Sequence, residues 1–119
     1  MSDFSAIDLQ AIENLRALNP GDNDEFLREI TQIFLEDTPI RLAELDQSLI
    51  AGDVSKFTRA AHSIKGSSSN LGATGLRAAS EKLEHQARTQ GLGNVTVLVA
   101  QVKAEFSRAQ AELSTLVGK

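Results

Sequence analysis

The chain has no cysteine, which excludes a disulfide framework and a thiolate-held metal and suits a reducing compartment. Tryptophan and tyrosine are also absent, and only 5 phenylalanines supply aromatic surface, too few for a platform on which bases stack. Basic runs are missing as well. With 16 acidic and 12 basic residues the net charge is −4, so neither a nucleic acid nor a membrane surface is expected as a partner. No apolar stretch approaches the length of a transmembrane helix. Met1-Ser2-Asp3-Phe4 has neither the positive region nor the apolar core of a secretory leader, so the expected location is the cytoplasm. Gly66, Gly72 and Gly75 fit neither the P-loop nor the dinucleotide-binding spacing. The 2 histidines, His62 and His85, fall on different expected helices and do not form a zinc pair, so no metal site is expected.

What remains is 119 residues with an ordinary 41% hydrophobic content, read as one domain over 1–119. Helical periodicity dominates. Ile7, Ile12, Leu15 and Leu18 mark a short leading helix within 4–18, stopped by Asn19-Pro20-Gly21-Asp22. From Asp24, with Asp22 or Asp24 as cap, Phe26, Leu27, Ile30, Ile33, Phe34, Ile40, Leu42, Leu45, Leu49 and Ile50 recur at helical steps. Pro39 predicts a kink or break in that helix. Ala51-Gly52-Asp53 ends it and caps the next, which runs to about Asn70 through the serine run. Thr74 to about Gln90 follows, with Leu76, Ala79, Ser80, Leu83 and Ala87 as its buried stripe and Gly91 and Gly93 closing it. Asn94 is read as the cap of a last helix to about Val117. Val95-Thr96-Val97-Leu98-Val99 alone would suit a strand, but Val102, Phe106, Ala109, Leu113 and Leu116 keep the helical step. Short connections favour antiparallel neighbours. The expected fold is all-α: an up-down-up-down antiparallel four-helix bundle with a short extra N-terminal helix, its stripes mutually buried, hence a monomer.

The stretch that carries chemistry is Ala60 to Ala73. Phe57, Ala60, Ala61, Ile64, Ser68 and Leu71 form a packed face. His62 lies about 100° round from Ala61, at the edge of that face, near the middle of the second long helix and toward solvent. Gly66, one turn on, costs roughly 1 kcal/mol in a helix relative to alanine, which suggests that something large must approach the imidazole. A neutral imidazole is a competent nucleophile at neutral pH. For an incoming phosphoryl, Lys65 and Arg59 could supply charge, and Ser69 and Ser63 weaker donors. Spacing alone favours the plainer reading: an ordinary surface histidine, a drifted alanine at Gly66 and a fraying serine run. Lys82 or Arg77 could face the ring from the following helix, and His85 reads as a solvated surface residue. A serine nucleophile at Ser63 or Ser67 is disfavoured, because adjacent helical side chains diverge and no oxyanion loop is evident.

His62-Ser63-Ile64-Lys65-Gly66-Ser67-Ser68 followed by Leu71-Gly72-Ala73 resembles the signature of histidine-containing phosphotransfer domains. Phe34-Leu35-Glu36-Asp37-Thr38-Pro39 with Arg41-Leu42, and Leu83-Glu84, resemble the helices before and after that signature in the family. The resemblance covers nearly the whole chain. It implies that His62 is the phospho-accepting residue, Lys65 the phosphate-side lysine and Gly66 the clearance glycine; Arg59 and Ser69 rest on helical spacing alone. It further implies a phosphocarrier without catalytic turnover of its own and without a cofactor. The implied partners are a response-regulator receiver domain, carrying Mg²⁺ and the acceptor aspartate, and a histidine kinase or hybrid kinase upstream. The alternative is a helical-bundle adaptor that binds a signalling partner and is never phosphorylated. A receiver phosphatase would need an acidic or amide residue aimed at a water, and none stands out.

Overall fold

The computed structural model describes residues 6–117. It contains α1 (Leu9–Leu18), α2 (Glu25–Ala51), α3 (Val54–Asn70), α4 (Thr74–Gln90) and α5 (Thr96–Leu116), and no strand among the described residues. Residues 4 and 5 of the expected leading helix lie outside the described residues.

The long helices follow one another around a ring. Each packs on the next, from α2 to α5, and α5 closes back on α2. The connections between them are short, and a backbone N–H at Gly52, Leu71 or Gly91 caps the helix before each one. Gly52, with φ of 70°, turns its N–H onto the carbonyls of Leu49 and Ser48, and the Asp53 carboxylate accepts from Lys56 N at 3.0 Å to open α3. Such tight corners leave antiparallel packing as the available arrangement. At the start of α2 the two candidate caps divide the work. Asp24 occupies the cap position in a left-handed conformation without a side-chain cap bond, while the Asp22 carboxylate accepts from the amides of Asp24 and Phe26. Asn94 does not cap α5: Val95 holds that position, with no side-chain hydrogen bond.

Pro39 does not break α2, which runs as one helix of 27 residues through it. The proline is exposed, so the carbonyl left without its amide donor lies toward water, which can serve it.

The interior is built largely from the expected stripes, but Leu18, Ile33, Ile40 and Ile50, read as part of them, are exposed, and Thr31, Thr38 and Ser48 are buried on α2 instead. Leu45, Phe57, Ile64, Leu83, Val102 and Leu113 are fully buried, and Phe34 and Phe106 stack at a tilt with centroids 5.7 Å apart. Helix α1 lies across one end. Ile12 enters the core, Asp8 N donates to the Gly72 carbonyl at 2.7 Å, and the Glu112 carboxylate on α5 accepts from Ala6 N and Ile7 N. Arg16 adds ion pairs to Glu13 and Asp24 and a hydrogen bond to the Leu116 carbonyl. This end of the bundle is thereby tied down, and the flank of α3 is left open. No helix among the described residues is long and apolar enough to cross a membrane.

Candidate functional site

Helix α3 buries Phe57, Ala60, Ala61, Ile64 and Ser68, and that stripe fixes where the residues between point. His62 emerges beside α4, its side chain 61% exposed. The ring is nonetheless held, because Nδ1 lies 3.0 Å from Oε2 of Glu84 on α4.

Glu84 is the residue that organises the site. Its side chain is only 8% exposed, and an isolated buried carboxylate would be costly. Three partners offset that cost. Lys65 Nζ lies 3.1 Å from Oε1, and the guanidinium of Arg88, one turn along α4, binds the same Oε2 that faces the ring. Burial pushes the carboxyl toward its neutral form, but the hydrogen bonds from Lys65, His62 and Arg88 outweigh it and hold Glu84 below the ordinary carboxylate range. An ionised carboxylate can only accept. In the neutral ring Nδ1 must therefore carry the hydrogen, which leaves the lone pair on Nε2. The chemical result is an imidazole with one nitrogen anchored to an anion and the other free to act as a nucleophile.

The residues singled out in the sequence divide around this pair. Lys65 and Gly66 stand with His62 on the open flank. A Cβ placed on Gly66 would meet nothing within 4 Å, so no neighbour in the fold requires glycine there. Arg59 falls on the opposite flank, lining a hollow between α2 and α3 with Arg41, Glu44, Lys56, Ala60 and Ser63, and it makes no ion pair among the described residues. The Ser69 hydroxyl is engaged twice: it donates to the Lys65 carbonyl at 3.0 Å and accepts from Arg77 Nε at 3.1 Å. Arg77 is thus committed to Ser69 and Glu81 and Lys82 is exposed; neither faces the ring. The groups on α4 that do are Glu84 and Arg88. Sequence reasoning missed both as site residues, although Glu84 is a charge set four residues after Ser80 on the otherwise small and apolar stripe. His85 is exposed, as expected. Farther along the α2–α3 seam Leu15, Phe26, Ile30, Ile33, Ser67 and Leu71 border an apolar groove of about 340 Å³.

A helical bundle presenting an anchored, solvent-facing histidine defines a class of phosphotransfer-type domains, and the comparisons with known proteins agree. The Hpt domain family matches residues 29–112. The structure superposes on the crystal structure of histidine-containing phosphotransfer protein B from Pseudomonas aeruginosa PAO1 with a TM-score of 0.86, 29% identity and 96% of both chains covered. "Multistep phosphorelay regulator 1" of Schizosaccharomyces pombe is 29% identical over 85 residues, which are 71% of this chain and 29% of that protein's length. The chain belongs to the histidine-containing phosphotransfer (Hpt) domain family.

Proposed function

We propose that this protein is a phosphorelay intermediate in which His62 Nε2 accepts a phosphoryl group and passes it on. The donor is the aspartyl phosphate of a receiver domain or the phosphohistidine of a histidine kinase or hybrid kinase; the acceptor is a response-regulator aspartate. The observation that carries this reading is the exposed ring with Nδ1 on the buried carboxylate of Glu84. As Nε2 attacks phosphorus, the donor's bond to phosphorus breaks and its electron pair leaves with the donor. No proton has to move. The ring keeps its Nδ1–H and becomes cationic, and Glu84 faces that new charge at hydrogen-bond distance. Such preorganised compensation is the main contribution a protein makes to phosphoryl transfer. Mg²⁺ and the acceptor aspartate belong to the partner receiver, and this chain acts as a carrier in the cytoplasm.

The open space over Gly66 gives a receiver's active-site rim room to reach the ring. Ser67, the next residue, borders the apolar groove of α2 and α3, where the same partner gains nonpolar contact. An adaptor that is never phosphorylated would need neither the clearance nor the anchored ring. Incubation with a phosphorylated receiver tests the reading: acid-labile, base-stable label should appear on the wild-type protein and vanish in His62→Gln. Label that survives that substitution would move the chemistry to another residue. A wild-type chain that binds the receiver and never acquires label would establish the adaptor instead.

A further inference from the structure

Phosphorylation changes the charge that Glu84 has to balance. In the unmodified protein its carboxylate meets two cations, Lys65 on Oε1 and Arg88 on Oε2, and the neutral Nδ1–H also on Oε2. When Nε2 forms its bond to phosphorus and the ring retains Nδ1–H, the imidazole becomes a third cation at that carboxylate. A phosphoryl group with roughly two negative charges then stands on the far side of the ring, as a phosphorylated side chain does generally. One anion is over-compensated and its neighbour is under-compensated.

The two cations are not equally placed to respond. The Lys65 side chain is 26% exposed and lies against the buried carboxylate, whereas that of Arg88 is 60% exposed. Since α3 and α4 are antiparallel, the step from Glu84 to Arg88 runs back along α3 toward Thr58 and Arg59. The Cα–Cβ bond of His62 leans in that same direction, and that of Arg88 leans back toward Glu84. Arg88 therefore approaches the ring from the side toward which the ring itself projects. Its planar fork also suits two phosphoryl oxygens better than a point charge does.

We propose that Arg88 changes partner on phosphorylation, leaving Glu84 Oε2 to bind the phosphoryl oxygens, while Lys65 stays on Oε1. This rests on His62 being the phosphorylated residue, and it gives to Arg88 the contact that family resemblance assigns to Lys65. Arg59, on the α2 flank, takes no part.

The test separates this handover from the relay itself. Potassium phosphoramidate loads the intact protein without any partner: Nε2 attacks phosphorus, the P–N bond breaks and ammonia leaves. On loading, the Arg88 side-chain resonances should move in ¹H–¹⁵N spectra while those of the Lys65 side chain stay in place. In Arg88→Ala the ³¹P resonance of phosphohistidine should shift, and the equilibrium constant for loading from a receiver should fall by about 1.5- to fivefold, the range of an exposed ion pair. Arg88→Lys should recover part of that loss. Arg88 signals that stay put while Lys65 moves would overturn the proposal, as would an unchanged equilibrium in Arg88→Ala. If phosphoramidate loads His62 and no receiver does, the relay reading fails, and the spectra of the loaded ring still decide the handover. A ring that phosphoramidate cannot load would defeat both.

Discussion

Glu84→Gln removes the charge of the residue behind the ring. Glutamine is nearly isosteric and its amide oxygen can still accept from Nδ1–H, so the ring's orientation and tautomer survive, while the anion and the acceptor for Lys65 are lost. At the observed 3.0 Å, two unit charges attract by about 1.4 kcal/mol in water and about 5.5 kcal/mol at an effective dielectric constant of about 20. The ring is 61% exposed, so the lower end of that range governs. A loss of about 1–2 kcal/mol of stabilisation for the developing cation corresponds to a rate of phosphoryl transfer lower by about 5- to 30-fold. Rapid-quench measurement of label moving from a phosphorylated receiver onto the protein reads this directly. Saturating receiver should not restore the rate, because the loss lies in the chemical step and not in docking. Wild-type rates in Glu84→Gln would show that the carboxylate only orients the ring, and the electrostatic argument would fall.

Acidification tests the same carboxylate through stability. Its folded-state pKa lies below the ordinary value of 4.5, so the network contributes its full stability above that value and loses it as pH falls through the lower, folded one. The stability difference between wild type and Glu84→Gln should therefore shrink between neutral pH and pH 3 in urea titrations; a constant difference would contradict the assignment. Gly66→Ala should stabilise the fold by about 1 kcal/mol, since the new methyl meets nothing and helix propensity improves. Gly66→Phe should fold but transfer phosphoryl at least about tenfold more slowly, the cost of roughly 1.4 kcal/mol of lost fit; an unaffected rate would remove the clearance argument. Gly72→Ala should cost about 2 kcal/mol or more, because φ is +69° and a Cβ there would lie 2.5 Å from that of Ala11. An unchanged urea midpoint would refute the close approach of α1 to the α3–α4 turn.

Helix positions were legible because burial repeats at the helical period. The stripe from Val99 to Leu113 overrides the strand-like composition of residues 95–99, and Phe57, Ala60, Ile64 and Ser68 fix the rotation of α3 well enough to place His62 outside. Two things depend on the neighbouring helices and so escape a reading along one helix. Arg59 lies three residues from His62, and Lys65 lies three the other way. Yet packing puts α2 beside the first and α4 beside the second, and only the second meets Glu84. Glu84 itself reads as an ordinary acidic residue next to Leu83; that it is buried follows from the turn of α4 against α3, 22 residues from its ring partner. Pro39 was legible as the place of a kink or break; that α2 continues through it depends on which side of the helix faces water. Asn94 fitted a cap by residue type, yet the chain enters α5 at Val95 through a nearly helical conformation that leaves the asparagine outside.

The imidazole offers a single unencumbered edge, because α4 occupies the other. If His62 relays phosphoryl groups as proposed, a donor protein seated over that edge would leave no room for an acceptor protein, and loading and unloading would exclude each other in time. Initial rates with both proteins varied should then give the parallel double-reciprocal lines of a ping-pong scheme. On that proposal the direction of net flux would follow the relative abundance and phosphorylation state of whatever competes for that one seat.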